Sequence, residues 1–328
     1  MKRREFIALF IGNALAAQAI TARAQQSATP LIGWLSSATA EGFADRLQIF
    51  RERLKERGFV EGQNLAIEYR WANDHNDRLP ALATDLVNRR VSVIVCAGGT
   101  PAALAAKAAT ATIPIVFAIS ADPVRAGIVS NLNRPDGNIT GIASFTDQLI
   151  TKRVELLAEL IPNAAIIGAL LNPSNSNFEN RSNDLQTAVK AIGRELRIVL
   201  ASNAAELENA FSSAVGQGVG ALVIQNETMF ISHRDEVVKL AARSKLPAVY
   251  EDREDAVAGG LVSYGPSIKE RYPVLADYTA SILKGEKPQN LPVARPTQFE
   301  LVINLKAAKA LGITVPGAVL ARSDKVIE

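Results

Sequence analysis

The residues of this chain best suited to chemistry are small and polar, and they stand where short apolar runs stop. Gly98-Gly99-Thr100-Pro101-Ala102 follows the run Val93-Ile94-Val95-Cys96-Ala97. Its two glycines let a ligand approach the backbone, while Thr100 is a good helix cap and Pro101 a good first helical residue. The free N–H groups at such a helix start suit a carboxylate. Ser36 and Ser37 offer hydroxyls after an apolar run at 31–35, and Ser120 and Asp122 follow another at 113–119. Further along, Asn172 and Asn175 add amides, Asn226 and Glu227 an amide and a carboxylate, and Tyr250 and Glu251 a ring and a carboxylate. Each of these is also an ordinary turn former. What they share is the carboxyl edge of a strand, where open α/β sheets bind ligands. N–H groups from one side and carboxylates from the other would suit a zwitterion such as an amino acid.

Bond-breaking chemistry has much less to draw on. His75 and His233 are the two histidines, each in a polar segment with no second ligand at metal spacing, so both read as solvated surface. No G-x-S-x-G elbow, G-x-G-x-x-G or G-x-x-x-x-G-K-[ST] occurs, which weakens nucleophile and nucleotide readings alike. The neighbouring carboxylates Glu251-Asp252 and Glu254-Asp255 are adjacent in sequence, which is weak evidence for an acid/base pair. No cofactor and no metal are expected.

The elements that must position these residues come as a repeat. Ile113-Pro114-Ile115-Val116-Phe117 returns as Leu246-Pro247-Ala248-Val249-Tyr250, and Ile32-Gly33-Trp34-Leu35 as Ile167-Gly168-Ala169-Leu170. Val93-Ile94-Val95 returns as Leu222-Val223-Ile224. The helical stripe Phe43, Leu47, Phe50, Leu54 has the spacing of Leu185, Val189, Ile192, Leu196. Short apolar runs alternating with helix-period segments mean βαβ units and parallel sheets. The chain is therefore read as α/β with two Rossmann-like lobes and a ligand cleft between them. After two repeats a tail remains, with a strand near 260–264, a helix at 268–283 bent or interrupted at Pro273, and a last strand and helix. Such a tail must return to complete each lobe. The boundaries drawn are 29–142 with 264–293 for lobe one, and 143–263 with 294–328 for lobe two.

Residues 1–24 read as an export signal: basic Lys2, Arg3 and Arg4, an apolar stretch, then Ala22-Arg23-Ala24 before Gln25. Arg3-Arg4 followed by Glu5-Phe6 resembles a twin-arginine signal, with Lys2 where Ser or Thr is usual. The net charge of +3 belongs to the precursor, since without those residues 32 basic and 32 acidic residues remain. A neutral chain is a poor partner for nucleic acid or an anionic membrane. Cys96 is the one cysteine, so no disulfide framework exists, and within an apolar strand it reads as inert. A soluble periplasmic monomer is expected.

Together, the signal, Ile32-Gly33-Trp34-Leu35-Ser36, Gly62-Gln63-Asn64, Ile67-Glu68-Tyr69-Arg70-Trp71, Ala97-Gly98-Gly99-Thr100-Pro101, Asn133-Arg134-Pro135 with Gly137-Asn138, and Phe299-Glu300-Leu301-Val302-Ile303-Asn304 resemble one family. It is the solute-binding proteins of ABC transporters related to the tryptophan/tyrosine-binding type, with the type I periplasmic binding fold. The resemblance covers essentially the whole chain. It implies two lobes with three crossovers, a small ligand clamped between them, and delivery to an ABC permease in the inner membrane. It also supports Ser36, Ser37, Gly99, Thr100, Asn172, Asn226 and Glu251 as cleft-facing. An exported enzyme using the same cleft, and a ligand sensor docking on a membrane receptor, are the alternatives.

Overall fold

Each strand of this chain that is buried on both faces sorts its side chains by parity. In β1 (Leu31–Ser36), Ile32 and Trp34 point to one core, and Leu35 to the core on the other face. β3 (Val93–Cys96) does the same, with Val93 and Val95 opposite Ile94 and Cys96. Successive side chains on a strand face opposite sides, so a sheet of this kind needs helices on both. The computed structural model describes residues 29–328; the export signal read at 1–24 lies outside them.

Two sheets result. The first joins β1 and β3 to β2 (Ala66–Trp71), β4 (Ile115–Ile119) and β5 (Ile139–Ala143), in the order β2-β1-β3-β4-β5 and all parallel. The second opens with β6 (Ile166–Leu171), β7 (Glu195–Leu200), β8 (Ala221–Ile224) and β9 (Ala248–Tyr250), followed by β10 (Val262–Pro266), β11 (Phe299–Asn304) and β12 (Lys325–Ile327). Its order is β12-β11-β10-β9-β8-β6-β7, so β7-β6-β8-β9-β10 repeats the first sheet strand for strand. Among the described strands, only the β10–β11 pair is antiparallel. This is the two-lobed α/β architecture of type I periplasmic binding proteins.

The chain does not finish one lobe before starting the other. β10 lies in the second sheet, yet the helix after it, Ile268–Leu283, packs against the Ala44–Glu56 helix and the first sheet. There Tyr272, Leu275 and Ala276 share a core with Trp34, Phe50 and Leu54. Phe50 and Leu275 are fully buried, and removing each from water contributes about 2 kcal/mol. The helix runs unbroken through Pro273, which near a helix start sacrifices one backbone hydrogen bond. The following strand, β11, is again in the second sheet. Three crossings therefore join the lobes. No helix among the described residues is long and apolar enough to span a membrane.

Candidate functional site

The carboxyl ends of the two sheets face each other, and the loops there touch. Thr39 N donates to Ser232 Oγ at 3.2 Å, and Asn76 Nδ2 to the Ser174 carbonyl at 3.4 Å. Thr228 Oγ1 reaches the Gly98 carbonyl at 3.4 Å. His233 Nε2 lies 3.0 Å from Asp74 Oδ2, which corrects the expectation of a solvated surface histidine: it bridges the lobes. His75 is exposed. The cleft is closed.

Between these contacts lies a cavity of about 30 Å³, room for roughly two waters or the head of a carboxylate. Of the residues singled out from sequence, Gly99, Thr100, Ser120, Asn175 and Asn226 line it. Local geometry explains the glycines. A Cβ on Gly98 would stand 2.2 Å from the Ser37 backbone nitrogen, and Gly99 has φ +76°, the left-handed region. The helix begins at Gly99, two residues earlier than the capping pattern predicts, so Gly98 takes the cap position, Thr100 sits in the first turn, and no side chain caps the helix. Its early N–H groups have no intrahelical acceptor.

The other singled-out residues do not line the cavity. Ser37 Oγ donates to the Gly98 carbonyl at 2.6 Å, and Ser36 Oγ accepts from Ala38 N. Both therefore shape the turn, and Gly98 serves as its acceptor. Asp122 Oδ1 accepts from Val124 N at 2.8 Å, and Asn172 Oδ1 from Ser174 N at 2.9 Å; these are turn formers. Tyr250 has the parity of Ala248 and points with it into the lobe-two core, away from the cleft. Glu251, on the opposite parity, accepts from Arg153 Nη1 at 2.6 Å, and burial pushes its carboxyl up against the pull of that arginine. Glu227 is likewise buried, its carboxyl raised by desolvation, and it accepts from Asn175 Nδ2 and lies 3.8 Å from Arg181 Nη1. The lobe-two carboxylates do not line the cavity.

Guanidiniums do. Arg46, Arg181 and Arg271 all border it, and none was among the residues expected there. Each belongs to one pattern: Phe43-x-x-Arg46-x-x-x-Phe50, Phe178-x-x-Arg181-x-x-x-Leu185 and Ile268-x-x-Arg271-x-x-x-Leu275. Ile150-x-x-Arg153-x-x-x-Leu157 is a fourth. Positions i, i+3 and i+7 share a helix face, so each arginine sits inside an apolar stripe. All four are buried, and each meets a carboxylate from elsewhere. Asp252 takes Arg46 Nη2 on Oδ2 and Arg271 Nη2 on Oδ1 at 2.9 Å. Burial works to raise the Asp252 carboxyl, but Arg271 and Arg46 outweigh it and hold it below the usual carboxylate range. Arg181 Nε donates to Asp147 at 3.1 Å, Nη1 to the Asn226 carbonyl at 2.9 Å and Nη2 to Ser120 Oγ at 3.0 Å. Phe43, Ile231 and Tyr272 add apolar surface. Cys96 is fully buried with its thiol pushed far up by desolvation. No cluster of metal-ligating side chains occurs among the described residues.

Residues 38–327 match the family model described as ABC transporter substrate binding protein. The chain belongs to this family. A tyrosine-binding protein of Clostridioides difficile (strain R20291) is 28% identical to this substrate-binding protein over 262 residues, 80% of this chain and 75% of the relative. Two solved structures, each 25% identical, differ in how well they superpose. An ABC domain from Streptococcus pneumonia in complex with L-Trp gives a TM-score of 0.81, covering 92% of this chain and 100% of its own. The ligand-free, open form of a substrate binding protein with adhesive properties from Clostridium difficile gives 0.62, covering 91% and 99%. The lobes of this substrate-binding protein thus stand closer to the arrangement of the L-Trp complex than to that of the open form.

Proposed function

We propose that the protein is the solute-capturing component of an importer. It takes a small ligand of the amino-acid or aromatic-acid class into the inter-lobe cleft outside the inner membrane and hands it to an ABC permease. The observation that carries this reading is the closed cavity at the carboxyl ends of two facing sheets, walled by hydrogen-bond donors from both lobes and by the rings of Phe43 and Tyr272 from the first. Among the described residues its lining offers no histidine, cysteine, lysine or carboxylate to serve as nucleophile or base, which favours holding over turnover. The names of the relatives, one tyrosine-binding and one bound to L-Trp, support the ligand class.

Ligand stabilises closure to the extent that it contacts both lobes at once, because only differential contacts shift the equilibrium between open and closed forms. Micromolar capture corresponds to about 8 kcal/mol net. The closed outline then differs from the open one, and the permease has something to read. Ser36, Ser37, Gly98, Asp122, Asn172 and Glu227 enter this reading as supports of the cavity wall.

Native mass spectrometry, before and after denaturation and refolding, tests the proposal. A small extra mass that is released intact and rebinds is the expected result. A protein that arrives bare and shows no thermal shift with amino acids or aromatic acids would sink it, as would one that converts the released molecule.

A further inference from the structure

A cavity that shows its ligand cations and keeps carboxylates behind them is built to hold negative charge. The charged side chains on its wall are Arg46, Arg181 and Arg271. The acids nearest to them are already engaged with protein. Asp252 gives one oxygen to Arg46 and the other to Arg271 and to Asn226 Nδ2, the last at 3.3 Å. Asp147 serves Arg181 and also Asn177 Nδ2, at 2.8 Å. Glu227 holds Asn175. An ammonium entering here finds guanidinium donors on the wall and no lining carboxylate to accept from it, because the nearby acids already face their arginines.

A carboxylate meets the reverse. Arg271 is 8% exposed, and its Nε–H is buried without any hydrogen-bond partner. Leaving a buried charged donor unpaired is costly, so the Arg271 guanidinium keeps hydrogen-bonding capacity that its protein partners do not use. Arg46 and Arg271 also share Asp252 as their one fully buried counter-ion, the other acid on Arg46, Asp45, being 38% exposed. The early N–H groups of the helix starting at Gly99 border the same space.

Resting on the reading of this cleft as a ligand site, we propose that its ligand is an organic acid without a compensating ammonium. Its carboxylate is received by the guanidinium of Arg271 on the cavity wall, and Arg271 is the residue that sets the preference for an acid over the amino acid of the same skeleton. Planar guanidinium against carboxylate is a geometry that lysine does not reproduce.

Titration calorimetry on the refolded, ligand-stripped protein tests this with matched probes of two sizes: propionate against L-alanine, and 3-phenylpropionate against L-phenylalanine. On at least one skeleton the acid is expected to bind about tenfold or more tightly than its amino acid, a difference of about 1.4 kcal/mol. Arg271→Gln is expected to abolish that preference, and Arg271→Lys to restore it only in part. The wild-type comparison stands without either variant, should one fail to fold. Amino acids that bind as tightly as their acids overturn the inference and leave the transport reading intact. So does a released native ligand that carries an ammonium, whereas an ammonium-free acid supports it. Four silent probes with a bare protein overturn both.

Discussion

Arg181 Nη2 donates to Ser120 Oγ at 3.0 Å across the cleft, so the second lobe grips the first through a hydroxyl that also borders the cavity. The same guanidinium is held by Asp147 and the Asn226 carbonyl on its own side. Closure therefore draws on a rigid donor, with little side-chain freedom left to lose when the lobes meet.

Ser120→Ala removes that grip from the closed form alone. A hydrogen bond to a charged group contributes about 1.5–3 kcal/mol, so the ligand-free variant is expected to populate the open form far more. Small-angle X-ray scattering should show a larger radius of gyration than the wild type. Superimposable scattering curves would place the latch elsewhere.

Thr100→Pro deletes a backbone donor on the cavity wall while keeping a residue that the first turn of a helix accepts. Affinity for the ligand released in the mass spectrometer is expected to fall about tenfold, the effect of one charge-assisted hydrogen bond, with the melting temperature little changed. Equal affinity in variant and wild type would remove the helix start from the binding site.

Asp252→Asn keeps shape and takes away charge. Arg46 and Arg271 would then be buried without their shared counter-ion, and breaking such a pair from one side costs about 3–5 kcal/mol. Urea denaturation at neutral pH should record the loss as a lower midpoint at similar slope. A cost below about 1 kcal/mol, the level of an exposed pair, would mean that the two guanidiniums are reached by water.

Asp255 gives the stability a pH dependence of known sign. Burial pushes its carboxyl up to about 7, against the pull of Arg234 at 2.9 Å. The unfolded chain, with an ordinary value of about 3.9, binds fewer protons than the folded one between those limits. Stability from this group is thus fully present below about pH 4 and is lost as pH rises through about 7. Thermal melts of Asp255→Asn and wild type from pH 4 to 7 should converge at the acidic end and separate at the neutral end, with the wild type the one that falls. A constant gap would show that Asp255 titrates normally.

The layered fold could be read from the chain because its signal is local. Ile32-Gly33-Trp34-Leu35 and Ile167-Gly168-Ala169-Leu170 did become the equivalent strands β1 and β6, and the stripe Phe43, Leu47, Phe50, Leu54 lies along a covering helix. In the stripe Leu185, Val189, Ile192, Leu196 the helix stops at Ala191, because Gly193 ends it, and Leu196 belongs to β7. The site was legible only at Gly99, Thr100, Ser120, Asn175 and Asn226, whose place at strand ends brings them to the cleft. Tyr250 shows the limit of that rule, since the end of a strand says nothing about which face a residue takes; its shared parity with Ala248 does. The arginines were missed for another reason. Helical periodicity treats a charge as solvent-facing, yet Arg46 lies between Phe43 and Phe50 on the buried side. What permits that burial is Asp252, 206 residues away, a pairing that no local window contains.

The helix Ile268–Leu283 has a consequence for synthesis. It packs over one face of β3, β4 and β5, strands the ribosome delivers far earlier. Until residue 283 of 328 has emerged, the amino-terminal half displays Val93, Val95 and Val116 without the helix that completes their core. Lobe one therefore matures late, nearly together with lobe two, and no single cut in the chain yields either lobe whole. A nascent chain of this design stays unfinished, and dependent on holding factors, through most of its translation.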